Sequence, residues 1–387
     1  MLDNRPKRPR VLGRRTPEGL RIFGVEDIPH LDASGLGDGS TLRQALAEKG
    51  VCVVRNVLDE ASCEEAQRGM MEDLSGSVAA TEGGRRLDPW EITPKGPGGC
   101  SLWKNYGMAL TPNAQARRTD ERPKEVFKRL YGEHLCQSMD ASAMVLAAWQ
   151  AKKKSFPRTP NADPIKQVRR LLQGSTLRLH QDMTKTGRGG KSFSLGLKQL
   201  GGVFPEAVQG AMVYVAQVAK STPDGSYLTP PGFIAAPLRP STPEPIHDGG
   251  ARDDWYVLQS GDFTGALHGD VLERIGYVEA PAGSLVLWLS SVIHGNTLGH
   301  AGLASALPPA TMTRAVQMIT WGPRALTTLG EAEKKVKMSL KGHSNNHWPH
   351  LYTYGGSGGH MSNRGGIWRT LQPVVIGDVQ REALGIV

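Results

Sequence analysis

Alternating apolar and polar positions in the middle of the chain predict β-strands. In residues 175–182, Ser-Thr-Leu-Arg-Leu-His-Gln-Asp, apolar or β-branched side chains alternate with polar ones. Further apolar stretches predict strands at residues 51–57, 208–218, 283–294 and 313–321. Because side chains two positions apart on a strand share a face, the first stretch places His180 and Asp182 side by side.

Helical spacing of apolar residues predicts helices towards both ends of the chain. Ser40 is an N-cap candidate and Gly50 a terminating glycine for a first helix, and Asp59 caps a second that runs to about residue 74. The same pattern predicts helices at residues 123–132 and 331–341.

Composition favours a mainly β fold with flanking helices. The 387 residues are 39% apolar and include 47 glycines and 26 prolines, which is typical of short strands joined by long loops. We expect one domain over residues 23–330, with a helical N-terminal support at 40–150 and a β core at 170–325. A C-terminal extension, 331–387, is expected to pack on this core.

The net charge of +9 is concentrated at the N-terminus, where residues 1–22 predict a disordered basic arm. Its first fifteen residues include Arg5, Lys7, Arg8, Arg10, Arg14 and Arg15. The arm is interpreted as a nuclear address, an organelle-targeting segment, a contact to an anion or a solvated tail. Nucleic acid therefore stays open as a partner.

The location is predicted from what the sequence lacks. The four cysteines have no CxxC spacing, so neither a zinc site nor a disulfide framework is indicated, and a reducing compartment is expected. No apolar run reaches the eighteen or more residues of a membrane span, and no secretory apolar region is recognised. We expect a soluble, intracellular protein, either cytoplasmic or nuclear.

The strongest candidate chemistry is a metal site. Three His-x-Asp triplets begin at His30, His180 and His268. The first precedes every predicted core strand, and the last lies in a Gly- and Asp-rich stretch typical of a loop. His180 and Asp182 share a strand, and the predicted strand 283–294 ends in a further candidate ligand, His294. Two histidines and one carboxylate are typical of non-haem Fe(II) oxygenases. The alternative is that His180 and Asp182 are ordinary paired polar groups.

Basic residues follow this pair directly. Lys185, Arg188 and Lys191 form a cationic segment, which we call the lip. It is not a phosphate-binding loop, because lysine stands at 185 where glycine is required. The lip either attracts an anionic substrate to the metal site or is a solvated hairpin.

Two other features concern ligands. Arg314 begins a strand expected beside the one that bears His294, where its guanidinium would bind a carboxylate in bidentate fashion. A His-rich tail contains His343, His347, His350 and His360. Because their spacing fits no zinc motif and no cysteines accompany them, we expect no second metal site.

Together these motifs resemble the Fe(II)/2-oxoglutarate-dependent oxygenases, specifically the phytanoyl-CoA-dioxygenase-like branch, over roughly residues 45–350. The matching pieces are Gly50–Val54 with its following helix, His180, Asp182, Val208–Gly210, Pro230–Gly232, His294, Arg314, Pro323–Arg324 and His347–His350. The resemblance implies a distorted double-stranded β-helix, which is a cupin-like jelly roll.

The resemblance also implies site roles. His180, Asp182 and His294 would bind Fe(II), and Arg314 would pair with the far carboxylate of 2-oxoglutarate, with Gln209 in the same cofactor site. His294 and Arg314 are twenty positions apart, more than is usual in the family, so Arg324 is the alternative carboxylate partner.

The implied activity is a dioxygenase that consumes 2-oxoglutarate and O2, hydroxylates a C–H bond of an organic small molecule, neutral or anionic, and releases succinate and CO2. Two alternatives stay open: oxidation of a nucleic-acid base, 5-methylcytosine or thymine, and an inactive oxygenase fold used as an interaction module. The sequence specifies neither the substrate nor the oligomeric state.

Overall fold

The computed structural model describes residues 13–17, 19–79, 101–103, 108–151, 177–182, 193–201, 204–239, 255–258, 270–297, 299–344, 347–352, 368–370 and 373–386. Within these ranges the fold is mixed α+β, as the composition predicts. The strands are β1 (Arg21–Phe23), β2 (His30–Asp32), β3 (Val51–Arg55), β4 (Ser77–Ala79), β5 (Ser101–Trp103), β6 (Leu135–Gln137), β7 (Ser142–Leu146), β8 (Leu177–Asp182), β9 (Val208–Val213), β10 (Lys220–Ser221), β11 (Tyr227–Leu228), β12 (Gly232–Ala235), β13 (Trp255–Val257), β14 (Gly276–Val278), β15 (Leu285–Leu289), β16 (His294–Thr297), β17 (Met312–Ile319), β18 (Trp321–Pro323) and β19 (Trp368–Thr370). The helices are α1 (Ser40–Lys49), α2 (Glu60–Ser75), α3 (Pro112–Arg118), α4 (Glu121–Tyr131), α5 (Ala147–Ala151), α6 (Phe193–Gln199), α7 (Val271–Arg274), α8 (Ala301–Ala304), α9 (Leu329–Leu340) and α10 (Asp378–Ala383).

Two large sheets organise the described residues. The six-stranded sheet has the order β1-β14-β12-β16-β8-β13, and the seven-stranded sheet has the order β2-β3-β15-β9-β17-β7-β5. Their strands pair antiparallel, except for the parallel pairs β1–β14 and β2–β3. The sheets form no closed barrel in the described part of the chain, and the double-stranded β-helix stays a prediction.

The two sheets face each other across an aromatic contact. Phe233 on β12 packs on Trp288 of β15 with ring centroids 4.7 Å apart. Every residue of β9 and of β15 is buried. A strand buried on both faces carries a nearly continuous apolar run, which explains why these strands were recognisable in the sequence. The space between the sheets therefore contains both core and site.

Capping residues position the first helices as the sequence indicates. The Asp59 carboxylate accepts a hydrogen bond from the Ser62 amide at the start of α2. Gly50 ends α1 with φ of +69°, a conformation that glycine adopts without strain. The predicted cap Ser40 is instead the first helical residue, and Gly39 occupies the cap position.

The predicted strand 283–294 is wrong in its extent. It is two strands, β15 in the seven-stranded sheet and β16 in the six-stranded sheet. The polar pair Ser290 and Ser291 interrupts the apolar run, and a turn is closed by the hydrogen bond from the Val292 amide to the Leu289 carbonyl. His294 consequently begins a strand instead of ending one.

The N-terminal part is more than a helical support. It supplies β2, β3, β5 and β7 to the seven-stranded sheet. The strand β7, whose five residues are all buried, is not among the predicted strands. The prediction that His30 precedes the core strands is wrong, because His30–Asp32 is β2 and pairs with β3. In this region short apolar strands are buried on both faces, and the contacts that bury them determine the strand structure although the local sequence pattern is weak.

Both termini pack on the fold where they are described. Arg14 forms an ion pair with Glu279, and β1 pairs with β14, so the predicted arm 1–22 extends too far; residues 1–12 lie outside the described residues. In the C-terminal extension, Val336 and Leu384 join a small apolar cluster with Met139. No helix in the described ranges is long and apolar enough to cross a membrane.

Candidate metal centre

Two neighbouring strands bring His180, Asp182 and His294 together. β16 pairs antiparallel with β8, and His294 lies directly opposite His180 in this ladder. Asp182 follows two residues later on β8 and therefore shares the same face. One ligand atom from each residue lies within 4.8 Å of the others, and all three side chains are buried.

The distances within this triad fit ligands of one ion. The Nε2 atoms of His180 and His294 lie 3.7 Å and 3.3 Å from Asp182 Oδ2. Nδ1 of His294 lies 2.9 Å from the Val292 carbonyl oxygen, to which it donates. This hydrogen bond leaves the Nε2 lone pair for a metal, as is usual for metal-binding histidines.

The buried carboxylate of Asp182 indicates whether the triad suits a metal ion. Asp182 Oδ1 is buried and has no hydrogen-bond partner among the described residues. Burial by itself raises the pKa of Asp182, but the charges of His347 and His180 and the hydrogen bond with His294 lower it well below its usual value. A buried, ionised carboxylate with an unpartnered oxygen suits a cation, and the donor set fits Fe(II).

Gln209 supports this carboxylate from the opposite sheet. Its Nε2 donates to Asp182 Oδ2 at 3.1 Å and to Ser290 Oγ at 3.3 Å. Gln209 lies on β9 of the seven-stranded sheet, so this bond joins the two sheets at the centre. It thus contacts a candidate metal ligand, which differs from the cofactor contact suggested by the sequence.

Arg314 reaches the same space from the seven-stranded sheet. Its strand, β17, lies between β9 and β7, so the prediction that it runs beside the strand of His294 is wrong. The buried guanidinium instead crosses between the sheets and donates to Oδ1 of Asn296, two residues beyond His294 on β16. The long connection after His294 includes α8 and leads the chain over to the other sheet.

Tyr277 lies on the other face of the six-stranded sheet and belongs to a separate apolar cluster. It is opposite Ile234 on β12, whereas the neighbouring Phe233 is opposite Asn296. Its hydroxyl is buried and has no hydrogen-bond partner within the described ranges. Burial raises the pKa of Tyr277 well above its usual value, against the opposing effect of the Arg314 charge. The Arg314 guanidinium is thus the group that offers the space between the sheets a partner for a carboxylate.

Among the other predicted site residues, Arg324 contacts a different part of the fold. Arg324 lies in a short 3-10 turn after β18, and its guanidinium donates to the Thr327 carbonyl oxygen at 3.1 Å. Lys185, Arg188 and Lys191 of the lip lie outside the described residues, so the structure leaves their prediction untested.

One tail histidine lies at the centre. Nε2 of His347 is 3.5 Å from Asp182 Oδ2, and its Nδ1 is 2.8 Å from Oδ2 of Asp140. His350 instead stacks on Phe193, with ring centroids 5.0 Å apart. No second metal cluster is found in the described part of the chain, and His360 lies outside it.

An aromatic wall closes the side of the centre near β16. The His294 ring packs against Trp288 and Phe233 with centroids 5.3 Å and 5.6 Å away. The indole nitrogen of Trp288 is buried without a hydrogen-bond partner among the described residues. The wall excludes water from His294 and offers one donor to a bound molecule.

Comparisons with known proteins do not identify a family. No family model matches the chain, and no curated protein does. Similar solved structures include the epimerase SnoN in complex with Fe3+, alpha ketoglutarate and nogalamycin RO, at 13% identity over 73% of this chain and 83% of that chain, with a TM-score of 0.41. HygX from Streptomyces hygroscopicus with nickel, 2-oxoglutarate and hygromycin B bound has 12% identity over 73% of this chain and 87% of that chain, with a TM-score of 0.39. GlcNAc Inducible Gene 2, GIG2 (DUF1479), from Candida albicans has 12% identity over 94% of this chain and 80% of that chain, with a TM-score of 0.45.

With TM-scores under 0.5, these matches establish neither a family nor an activity, and none of them points to the phytanoyl-CoA-dioxygenase-like branch.

Proposed function

We propose that the protein is an Fe(II)- and 2-oxoglutarate-dependent dioxygenase that hydroxylates a small organic molecule. The observation that carries the proposal is the buried triad of His180, Asp182 and His294. Two imidazoles and one carboxylate hold a divalent ion and leave several of its positions open. Such a set is suited to an ion that must also bind a cosubstrate.

Different residues would bind the two ends of 2-oxoglutarate. His180, Asp182 and His294 would hold the iron, which supplies, together with 2-oxoglutarate and O2, the oxidation of a C–H bond with release of succinate and CO2. Val292 orients His294, and Gln209 holds the Asp182 carboxylate in place. These contacts fix the ligand side chains before the ion binds.

Arg314 favours a dicarboxylate over a simple keto acid. An unpaired buried carboxylate is costly, and a fixed guanidinium offers it charge-assisted hydrogen bonds. Asn296 accepts from Arg314 and thereby fixes the direction of the guanidinium. We assign the far carboxylate of 2-oxoglutarate to Arg314 and propose the double-stranded β-helix for the facing sheets.

The substrate side is less defined. The Trp288 indole N–H faces no protein acceptor in the described residues, which supports an organic molecule with an acceptor group beside the aromatic wall. The nucleic-acid alternative depends on the lip and the arm 1–12, neither of which is described. No structural observation favours it.

Anaerobic binding followed by turnover tests the proposal. Fe(II) should bind with a stoichiometry of about one, and His180→Ala or Asp182→Ala should weaken binding at least about tenfold, whereas the exposed His134→Ala should not. The iron-loaded protein should then bind 2-oxoglutarate and slowly release succinate in air. Unchanged Fe(II) affinity in both ligand variants would reject the metal site. Intact metal and 2-oxoglutarate binding without succinate release would favour the inactive module.

A further inference from the structure

His347 has the two contacts expected of a metal-binding histidine. Its Nδ1 lies 2.8 Å from the carboxylate of Asp140, a residue only 1% exposed. Its Nε2 faces Asp182 Oδ2 at 3.5 Å. Metal-binding histidines usually donate their second ring N–H to a carboxylate or carbonyl, and His294 does the same with Val292.

The three Nε2 distances to Asp182 Oδ2 are alike. They are 3.3 Å for His294, 3.5 Å for His347 and 3.7 Å for His180. Two ligands that each lie about 2.1 Å from one ion are about 3.0–3.4 Å apart for bond angles between 90° and 109°. His347 thus lies as close to the carboxylate ligand as the two histidines of the triad. It is not part of the group whose ligand atoms all lie within 4.8 Å of one another, so its ring would have to move towards the ion to bind it.

His347 can meet Asp182 in two ways. If the Nδ1 proton of a neutral His347 is donated to Asp140, its Nε2 lone pair lies 3.5 Å from Asp182 Oδ2, and an ion between the two groups would be bound by both. The competing arrangement is an imidazolium that bridges Asp140 and Asp182 without binding metal.

The segment that carries His347 is held firmly in place. Lys335 on α9 donates to the Pro349 carbonyl oxygen at 2.6 Å, and the Cys136 thiol donates to the same oxygen at 3.3 Å. The neighbouring Trp348 is fully buried. The amide of Tyr352 donates to the Glu331 carboxylate at 3.0 Å. Contacts on both sides of Pro349 therefore fix the backbone next to His347.

We propose that His347 is a fourth protein ligand of the metal, bound through Nε2 and positioned by Asp140. This inference rests on the metal site of the proposed function and adds a residue to it. An octahedral ion with four protein ligands keeps two open positions, the number that the chelating end of one 2-oxoglutarate needs. A further small ligand would then need the position that the His347 side chain occupies.

Co(II), a coloured substitute for Fe(II), tests the assignment in the full-length protein. His347→Ala should weaken Co(II) binding at least about tenfold and alter the visible spectrum of the bound ion. Asp140→Asn should weaken binding less and leave the spectrum close to wild type, because the ring remains. His134→Ala, the exposed control, should change neither. With 2-oxoglutarate bound, azide should bind the His347→Ala protein more tightly than wild type.

Pulsed electron paramagnetic resonance of the Cu(II)-loaded protein provides an independent count of bound imidazoles. The count should fall by one in His347→Ala. Unchanged affinity, spectrum and count in His347→Ala, with loss of binding in His294→Ala, would overturn this inference and favour the bridging imidazolium. Unchanged binding in both variants would instead reject the metal site of the proposed function.

Discussion

His294 lies directly opposite His180 in the antiparallel ladder of β16 and β8, with ring centroids 4.3 Å apart. Directly opposed residues project from the same face of a sheet at short range. A shift of either strand by one residue would turn its histidine to the other face. The register of this one strand pair therefore determines whether the metal centre exists.

Arg314 is expected to determine affinity for 2-oxoglutarate. Arg314→Ala leaves the buried carboxylate of the cosubstrate unpaired, a loss of about 2–5 kcal/mol, or at least one order of magnitude in affinity. Arg314→Lys should restore little, because an ammonium lacks the planar fork. Calorimetric titration of the anaerobic iron-loaded variants measures this, with Arg324→Ala as the matched control. A large loss in the Arg324 variant alone would reassign the role.

Gly232 is expected to keep space for Tyr277. A Cβ at position 232 would lie 2.6 Å from the Tyr277 ring, closer than real contacts allow. Gly232→Ala should lower the free energy of unfolding by about 1–3 kcal/mol, because the added methyl overpacks the Tyr277 ring. Gly330→Ala, where an added methyl meets open space, is the control. Urea unfolding of both variants measures the loss, and wild-type stability in Gly232→Ala would contradict the prediction.

Gln209 is expected to act on the metal through Asp182. Gln209→Leu removes the hydrogen bond from Nε2 to Asp182 Oδ2 while keeping the side chain's approximate volume. Loss of such a supporting bond lowers metal affinity by about 10–100-fold. Fe(II) titration of the variant measures this loss. An effect on 2-oxoglutarate binding with unaltered Fe(II) affinity would instead indicate the direct cofactor contact suggested by the sequence.

Because of Lys335, the free energy of unfolding is expected to change with pH in the alkaline range. Burial lowers its pKa below the ordinary value of 10.5, so the unfolded chain binds more protons between the two pKa values. Stability should consequently rise with pH through that interval, and this rise should be absent in Lys335→Met. Urea unfolding of both proteins from neutral pH towards 10.5 tests it. Parallel pH profiles in the two proteins would contradict the assignment.

The lip is expected to affect the rate at which a substrate associates with the protein. If Lys185, Arg188 and Lys191 attract an anionic substrate, replacing all three by glutamate should slow association and reduce its salt dependence, with metal binding unchanged. Stopped-flow binding at low and high salt measures this once a substrate is known. Equal rates at low salt would identify the lip as a solvated hairpin.

Local patterns were enough to find the residues of one strand. His180 and Asp182 follow from the two-residue periodicity of a strand, and Asp59 and Gly50 follow from capping chemistry. Such features depend on neighbours in sequence, which the chain displays directly. The mixed fold with flanking helices was predictable for the same reason.

Contacts between distant segments were not predictable. The run 283–294 reads as one strand because apolar content continues across the turn at Ser290. His347 meets Asp140 across 207 residues, and no local pattern in the Gly- and His-rich tail indicates that partner. His347–His350 is one of the pieces that match the family, but the resemblance implies no role for it.

The pairing of β1 with β14 and of Asp140 with His347 has a consequence during synthesis. β1 cannot pair until its partner strand β14, which begins at residue 276, has been synthesised. The fourth proposed ligand is present only after residue 347 has left the ribosome. Until then an unpaired N-terminal strand is exposed to aggregation. Iron loading is therefore expected to be a late event, after translation has passed the tail, and cells that express the protein slowly or with chaperones should yield more of the metal-binding form.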